Sequence, residues 1–244
     1  GTAVVNLLPL EKDEYITASI PISKFSADSY LTMITRNGVV KKTSLEEYDT
    51  NRKGGIIAIG LRENDDLIEV SLTKKDDNIV IATRKGMCIK FKESDVRSMG
   101  RGATGVTGLR LKEDDYVVGA SVCGADCMLL SVTENGYGKK TDINEFKCQN
   151  RSGKGVTAYK ITEKTGLIAG ISVINEGDDL MAITSDGIII RMSTDEISLF
   201  GRVTQGVRVM RLADDVRVVS IAKSEKIEEE NSEDKEESEE KVSE

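Results

Sequence analysis

Short runs of alternating apolar and polar residues recur along this chain and are divided by turn residues. Between residues 105 and 142 the runs "GVTGLRL", "YVVGASV", "CMLLSVT" and "GYGKKTD" follow one another, separated by turn sequences such as "KEDD" and "ENG". Period-two alternation bounded by Gly, Asn and Asp predicts about four short β-strands here. No window of the chain is long and periodic enough to predict a helix.

The same pattern returns with a fixed period. Glycine turns stand at Gly38, Gly86, Gly136 and Gly187, spaced by 48, 50 and 51 residues. Three residues before each is a threonine: Thr35, Thr83, Thr133, Thr184. Four residues after each is a cation: Lys42, Lys90, Lys140, Arg191. Nine after comes an acid (Glu47, Asp95, Glu145, Glu196) and ten after an apolar residue (Tyr48, Val96, Phe146, Ile197). A second landmark keeps step: glycine-rich loops end at Gly55, Gly105, Gly155 and Gly206 and carry Arg52, Arg101, Arg151 and Arg202. A period near fifty with four strands per repeat predicts an all-β, propeller-like array. Its repeats fall near 1–50, 51–99, 100–149 and 150–200, with a partial one at 201–222, about four and a half in all. The opening "GTAVVNLL" reads as the tail of one more loop, so the chain is expected to begin mid-repeat.

Charge changes the picture in two places. The chain carries a net −8, of which residues 223–244, with 4 lysines and 11 acids, hold −7. That segment has almost nothing to bury and is expected to be a disordered acidic tail. The body, 1–222, is nearly neutral, so the placement of its charges matters more than their sum. Acids gather in one set of turns: Glu11, Asp13 and Glu14; Asp65 and Asp66; Asp114 and Asp115; Asp214 and Asp215. Cations gather on each fourth strand (Lys41, Lys42, Lys90, Lys92, Lys139, Lys140, Arg191) and the loop after it (Arg52, Lys53, Arg101, Arg151, Lys154, Arg202). In a repeating array these thirteen form a belt of positive charge along one edge, suited to phosphates. The competing reading is that basic residues blunt an outer strand against edge-to-edge aggregation. The glycines likewise allow tight turns, or let backbone amides approach phosphates.

Composition removes other classes. There is no His, the commonest general base and metal ligand. The four cysteines include a single C-x3-C, Cys123 and Cys127, without a second pair, so neither zinc nor another metal is expected. No nucleophile–base pair or carboxylate dyad emerges, and no catalytic residue is assigned. No apolar run is long enough for a membrane span.

The strings "VVNLLPLEKDEYITA", "KFKESDVRSMG", "TENGYGKKT" and "EISLFGRVTQGV" resemble the C-terminal domain family of the DNA gyrase A protein, a type II topoisomerase component, over residues 1 to about 222. The resemblance implies a β-pinwheel, a propeller variant that wraps double-stranded DNA around a basic outer rim and so supports negative supercoiling. It implies partners outside this chain: the breakage-reunion domain of gyrase A and the gyrase B protein in an A2B2 holoenzyme. ATP and Mg would act elsewhere in that assembly, with no cofactor in this domain, and the setting would be the bacterial cytoplasm and nucleoid. The chain departs from the family in three ways. The box Q-R-R-G-G-[KR]-G is absent, "NRKGGI" at Asn51–Ile56 being the nearest string, six blades are usual, and the catalytic-tyrosine domain is missing. The six tyrosines read as packing residues. The alternatives are the corresponding domain of topoisomerase IV, a protein-interaction propeller scaffold and, least favoured, an enzyme on a propeller. The acidic tail is expected to compete with DNA for the belt.

Overall fold

Each glycine turn closes a β-hairpin, and the periodic threonine holds it shut. In the computed structural model, which describes residues 6, 8, 10–12, 14–52, 54–124 and 126–224, the hairpins are β1 (Ser29–Thr35) with β2 (Val39–Ser44), and β4 (Asn78–Thr83) with β5 (Met87–Lys92). The third pairs β8 (Met128–Thr133) with β9 (Tyr137–Asp142), and the fourth β12 (Asp179–Thr184) with β13 (Ile189–Ser193). Thr35 Oγ1 accepts the Val39 amide at 3.3 Å and donates to Asp65 Oδ2 at 2.6 Å. Thr83 repeats this with the Met87 amide and Asp115, at 3.2 and 2.7 Å. Asp65 and Asp115 then accept further backbone amides of the same turns. Two of the acids that cluster in sequence are therefore hairpin staples.

A third strand completes each hairpin: β3 (Leu67–Lys74) on β1, β7 (Val117–Cys123) on β4, β11 (Ile168–Ile174) on β8 and β15 (Val218–Ser224) on β12, all antiparallel. The four sheets thus start from residues 29, 78, 128 and 179. Lys223 and Ser224 pair with Leu180 and Asp179, so the last strand runs two residues past the boundary expected at 222. The rest of the acidic segment lies outside the described residues.

The fourth strand differs from expectation. The alternation in "GVTGLRL" predicts a full strand of its own repeat. Only Val106–Thr107 (β6) is extended, and it joins the preceding sheet beside β2. Val156–Thr157 (β10) joins β5 and Val207–Arg208 (β14) joins β9 in the same way. The sheet orders are β3-β1-β2-β6, β10-β5-β4-β7 and β11-β8-β9-β14, with three strands, β13-β12-β15, in the last. The lent strand is short because the chain then crosses over the neighbouring hairpin turn. Gly108 and Leu109 both donate to Gly38 O, Ala158 and Tyr159 to Gly86 O, and Val209 and Met210 to Gly136 O. This crossing explains the periodic glycine twice over. Gly38, Gly86 and Gly136 have φ of +76°, +81° and +76°, and a Cβ on them would lie 2.7–2.8 Å from the crossing carbonyl oxygens of Leu109, Tyr159 and Met210.

Neighbouring sheets are tied by backbone bonds that repeat three times. Val117, Ile168 and Val218 donate to Arg36 O, Arg84 O and Glu134 O at 2.9–3.0 Å. Met99, Gln149 and Phe200 donate to Lys42 O, Lys90 O and Lys140 O at 2.8 Å. The apolar residue ten after each glycine closes a 3₁₀ turn and plugs the core in three repeats: Val96, Phe146 and Ile197 are buried, whereas Tyr48 is half-buried. Apolar clusters fill the spaces between sheets, for example Ile34, Val40, Ile81, Phe91 and Val117 between the first two. The result is all-β and propeller-like, as expected. Among the described residues no helix is long and apolar enough to cross a membrane.

Candidate nucleic-acid interface

The strand exchange decides where the cations go. The segment that lends the two-residue strand first lays a glycine-rich loop over the outer strand of the preceding sheet. Lys41 and Lys139, three residues after their turn glycines, end up beneath those loops with no exposed surface. Lys139 Nζ donates to Gly201 O at 2.7 Å, Arg202 O at 2.6 Å and Thr204 Oγ1 at 3.1 Å, using all three of its hydrogens. Its ammonium also lies 5.1 Å from the Tyr159 ring, and the Tyr159 hydroxyl donates to Gln205 O. Lys41 Nζ donates to Ala58 O and Arg101 O. Burial lowers both lysines from 10.5 to about 8, against the opposing pull of Glu47 on Lys41 and Glu145 on Lys139. In the second and fourth sheets the equivalent residues are Ile89 and Ile190.

The cations four residues after the glycines bridge to the next sheet. Lys42 is buried, 2.8 Å from the buried carboxylate of Glu93, and faces the Tyr30 ring at 4.7 Å. Lys90 donates to Ile143 O at 2.8 Å. Lys140 is half-buried, and Arg191, though exposed, grips Asp179 through Nε and Nη2 at 2.8 and 2.6 Å. The loop arginines also fold back. Arg101 reaches Glu47 O at 3.0 Å, Arg151 reaches Asp95 O and Thr107 O at 2.9 and 3.1 Å, and Arg202 reaches Thr157 O at 2.7 Å.

The expected belt therefore needs correcting in its membership. Lys41 and Lys139 are internal struts with no free surface to offer a phosphate, because the following repeat covers the strand that would otherwise be outermost, and Lys42 is largely covered and tied to Glu93. Arg101, Arg151, Arg202, Lys90 and Lys140 are half-buried. Arg52, Lys92, Lys154 and Arg191 are exposed, and Lys53 lies outside the described residues.

The hairpin offsets pass over a further set of surface cations. Five residues after the loop glycines Gly105, Gly155 and Gly206 stand Arg110, Lys160 and Arg211, all exposed and in no ion pair among the described residues. The Arg110 amide donates to Gly153 O at 2.8 Å and the Lys160 amide to Thr204 O at 3.0 Å. Each of these two residues thus sits beside the glycine-rich loop of the next repeat, Arg110 next to the loop that carries Lys154. Exposed Arg97 and Lys147, two residues after equivalent 3₁₀ turns, add to the same series. The signal is present in the repeat itself, at an offset counted from the second glycine landmark instead of the first.

Comparison with known proteins gives a consistent result. The family model for the DNA gyrase C-terminal domain, beta-propeller, matches residues 29–74, 77–124, 128–175 and 178–225, one segment for each three-stranded hairpin unit. The DNA gyrase A protein of Halalkalibacterium halodurans is 57% identical over 223 residues, covering 91% of this chain and 27% of that protein. Its Escherichia coli K12 counterpart is 43% identical over 221 residues, covering 91% and 25%. This chain thus spans about a quarter of the length of these curated relatives. Among solved structures, the C-terminal domain of DNA topoisomerase IV superposes with a TM-score of 0.85 at 31% identity, covering 92% of this chain and 71% of that one. The DNA gyrase A C-terminal domain gives 0.80 at 28%, covering 91% and 74%.

Proposed function

Because the chain belongs to the DNA gyrase C-terminal domain family, we propose that it binds double-stranded DNA without sequence preference and bends it around its rim. In this reading it is the wrapping part of a longer gyrase A protein that supports negative supercoiling. The observation that carries the proposal is the series of exposed cations Arg110, Lys160 and Arg211, set at one offset in successive repeats and in no ion pair among the described residues. Equivalent residues of a repeating array land on equivalent faces, so a duplex meets a cation at each step along the rim. Such contacts go to phosphates and carry no sequence information. The partners in this reading are the breakage-reunion domain of gyrase A and the gyrase B protein in an A2B2 assembly of the bacterial cytoplasm and nucleoid, where ATP and Mg are used by other domains.

Salt tests it. Six or more phosphate contacts weaken duplex affinity by orders of magnitude between about 50 and 200 mM salt. We expect that steep dependence for a mixed-sequence duplex, with equal affinity for a second duplex of unrelated sequence. A flat salt dependence would count against DNA and for a protein-docking scaffold.

A further inference from the structure

The two glycine-rich loops that cover a buried lysine offer the rim an uncharged kind of phosphate contact. Peptide bonds among the described residues are all trans, and a trans peptide points its N–H and C=O in opposite directions. Arg101 O is drawn inward onto Lys41 Nζ, so the Gly102 amide of the same peptide points away from the sheet. Arg202 O is drawn onto Lys139 Nζ, so the Val203 amide does the same. Gly102 and Val203 are exposed, and neither amide has an acceptor among the described residues. Space around Gly102 is open, with no atom within 4 Å of a Cβ placed there.

The neighbouring amide in each loop reports what these positions accept. Arg101 N–H is taken by Glu47 Oε2 at 3.3 Å and Arg202 N–H by Glu145 Oε2 at 3.0 Å. An anionic oxygen already occupies the adjacent donor in both loops. Charge-assisted bonds from a backbone amide to such an oxygen are stronger than neutral ones. The second sheet supplies an internal contrast. Its loop lies over Ile89 instead of a lysine, and the Ser152 amide turns inward to Gly108 O at 2.6 Å.

We propose that the Gly102 and Val203 amides are phosphate-binding donors on the rim, aimed outward by Lys41 and Lys139, which are positioning residues that never touch DNA. This rests on the DNA-binding reading above and adds two sites to it, one over the first sheet and one over the third.

The test is a titration of the ¹⁵N-labelled chain with a mixed-sequence duplex, read at the Gly102 and Val203 amide resonances. Both move downfield in the parent. Lys139→Ile, which installs the residue type of the second and fourth sheets, abolishes the Val203 shift and keeps that of Gly102, and Lys41→Ile does the reverse. Each variant loses affinity on the order of tenfold. The slope of log K against log salt stays unchanged, since an amide neutralises no phosphate charge. A slope reduced by about one unit would mean that the lysine itself reaches a phosphate and would overturn the proposal. Unmoved Gly102 and Val203 resonances in a parent that binds duplex also overturn it, leaving the DNA-binding reading intact. A parent that binds no duplex overturns both. If a variant does not fold, the parent titration decides alone.

Discussion

A buried lysine in an acidic protein is a chemical statement about pH. Lys41 and Lys139 have pKa values near 8 in the fold and 10.5 in an ordinary exposed setting. Between those values the unfolded chain holds more protons than the native one, so the contribution of these two lysines makes stability rise with pH across that window. The check is urea unfolding at pH 7.5 and 9.5, for the parent and for Lys41→Ile/Lys139→Ile. The parent gains stability relative to the double variant as pH rises, and a relative loss would contradict the burial. Lys42 and Glu93 form a different kind of pair, with both side chains largely buried. Glu93→Ala leaves an uncompensated buried ammonium and is expected to cost about 3–5 kcal/mol by urea unfolding. Lys42→Met/Glu93→Leu, which removes both charges, is expected to cost far less. The sequence identifies these lysines by their offsets but not their burial. The loop carbonyls Arg101 O and Gly201 O that cover Lys41 and Lys139 come from about 60 residues away, and alternation within a hairpin carries no trace of them.

The hairpin is the most legible element. Glycine, threonine and the apolar plug stand at fixed offsets because the turn needs a left-handed residue, a hydroxyl across its neck and a stopper below. The strand exchange is not legible, since the period is the same whether a repeat keeps its first strand or lends it to its neighbour. One pair of substitutions isolates it. Gly86 and Gly187 share the same strained backbone, with φ of +81° and +83°. A Cβ at Gly86 would stand 2.8 Å from Tyr159 O, whereas at Gly187 it would meet nothing within 4 Å. Both Ala variants therefore carry the positive-φ cost of about 1 kcal/mol, and only Gly86→Ala adds a clash with the crossing strand. Thermal unfolding is expected to place Gly86→Ala clearly below Gly187→Ala. Equal stability would mean that the crossing contributes nothing at that turn.

For the whole molecule, the fold class and the repeat can be read from the sequence. Of the hairpin cations expected in the belt, Lys41, Lys42 and Lys139 belong to the interior, whereas Lys92 and Arg191 are exposed. The exposed series Arg110, Lys160 and Arg211 sits where the chain crosses from one sheet to the next. In the proposed wrapping a duplex curves along that series, and a bend of 40–90° over 20–30 base pairs costs on the order of 1–6 kcal/mol. No single contact offsets that, whereas on the proposed path the three cations do so together, each acting where the duplex next meets the rim. The most direct measurement is energy transfer between dyes at the two ends of a duplex bound to the parent, to Arg110→Gln, and to Arg110→Gln/Lys160→Gln/Arg211→Gln. The parent brings the ends together, the single variant lowers the salt slope by about one unit with a partial loss of transfer, and the triple variant leaves the bound duplex nearly straight. A triple variant that bends DNA as the parent does would contradict a rim path through these cations.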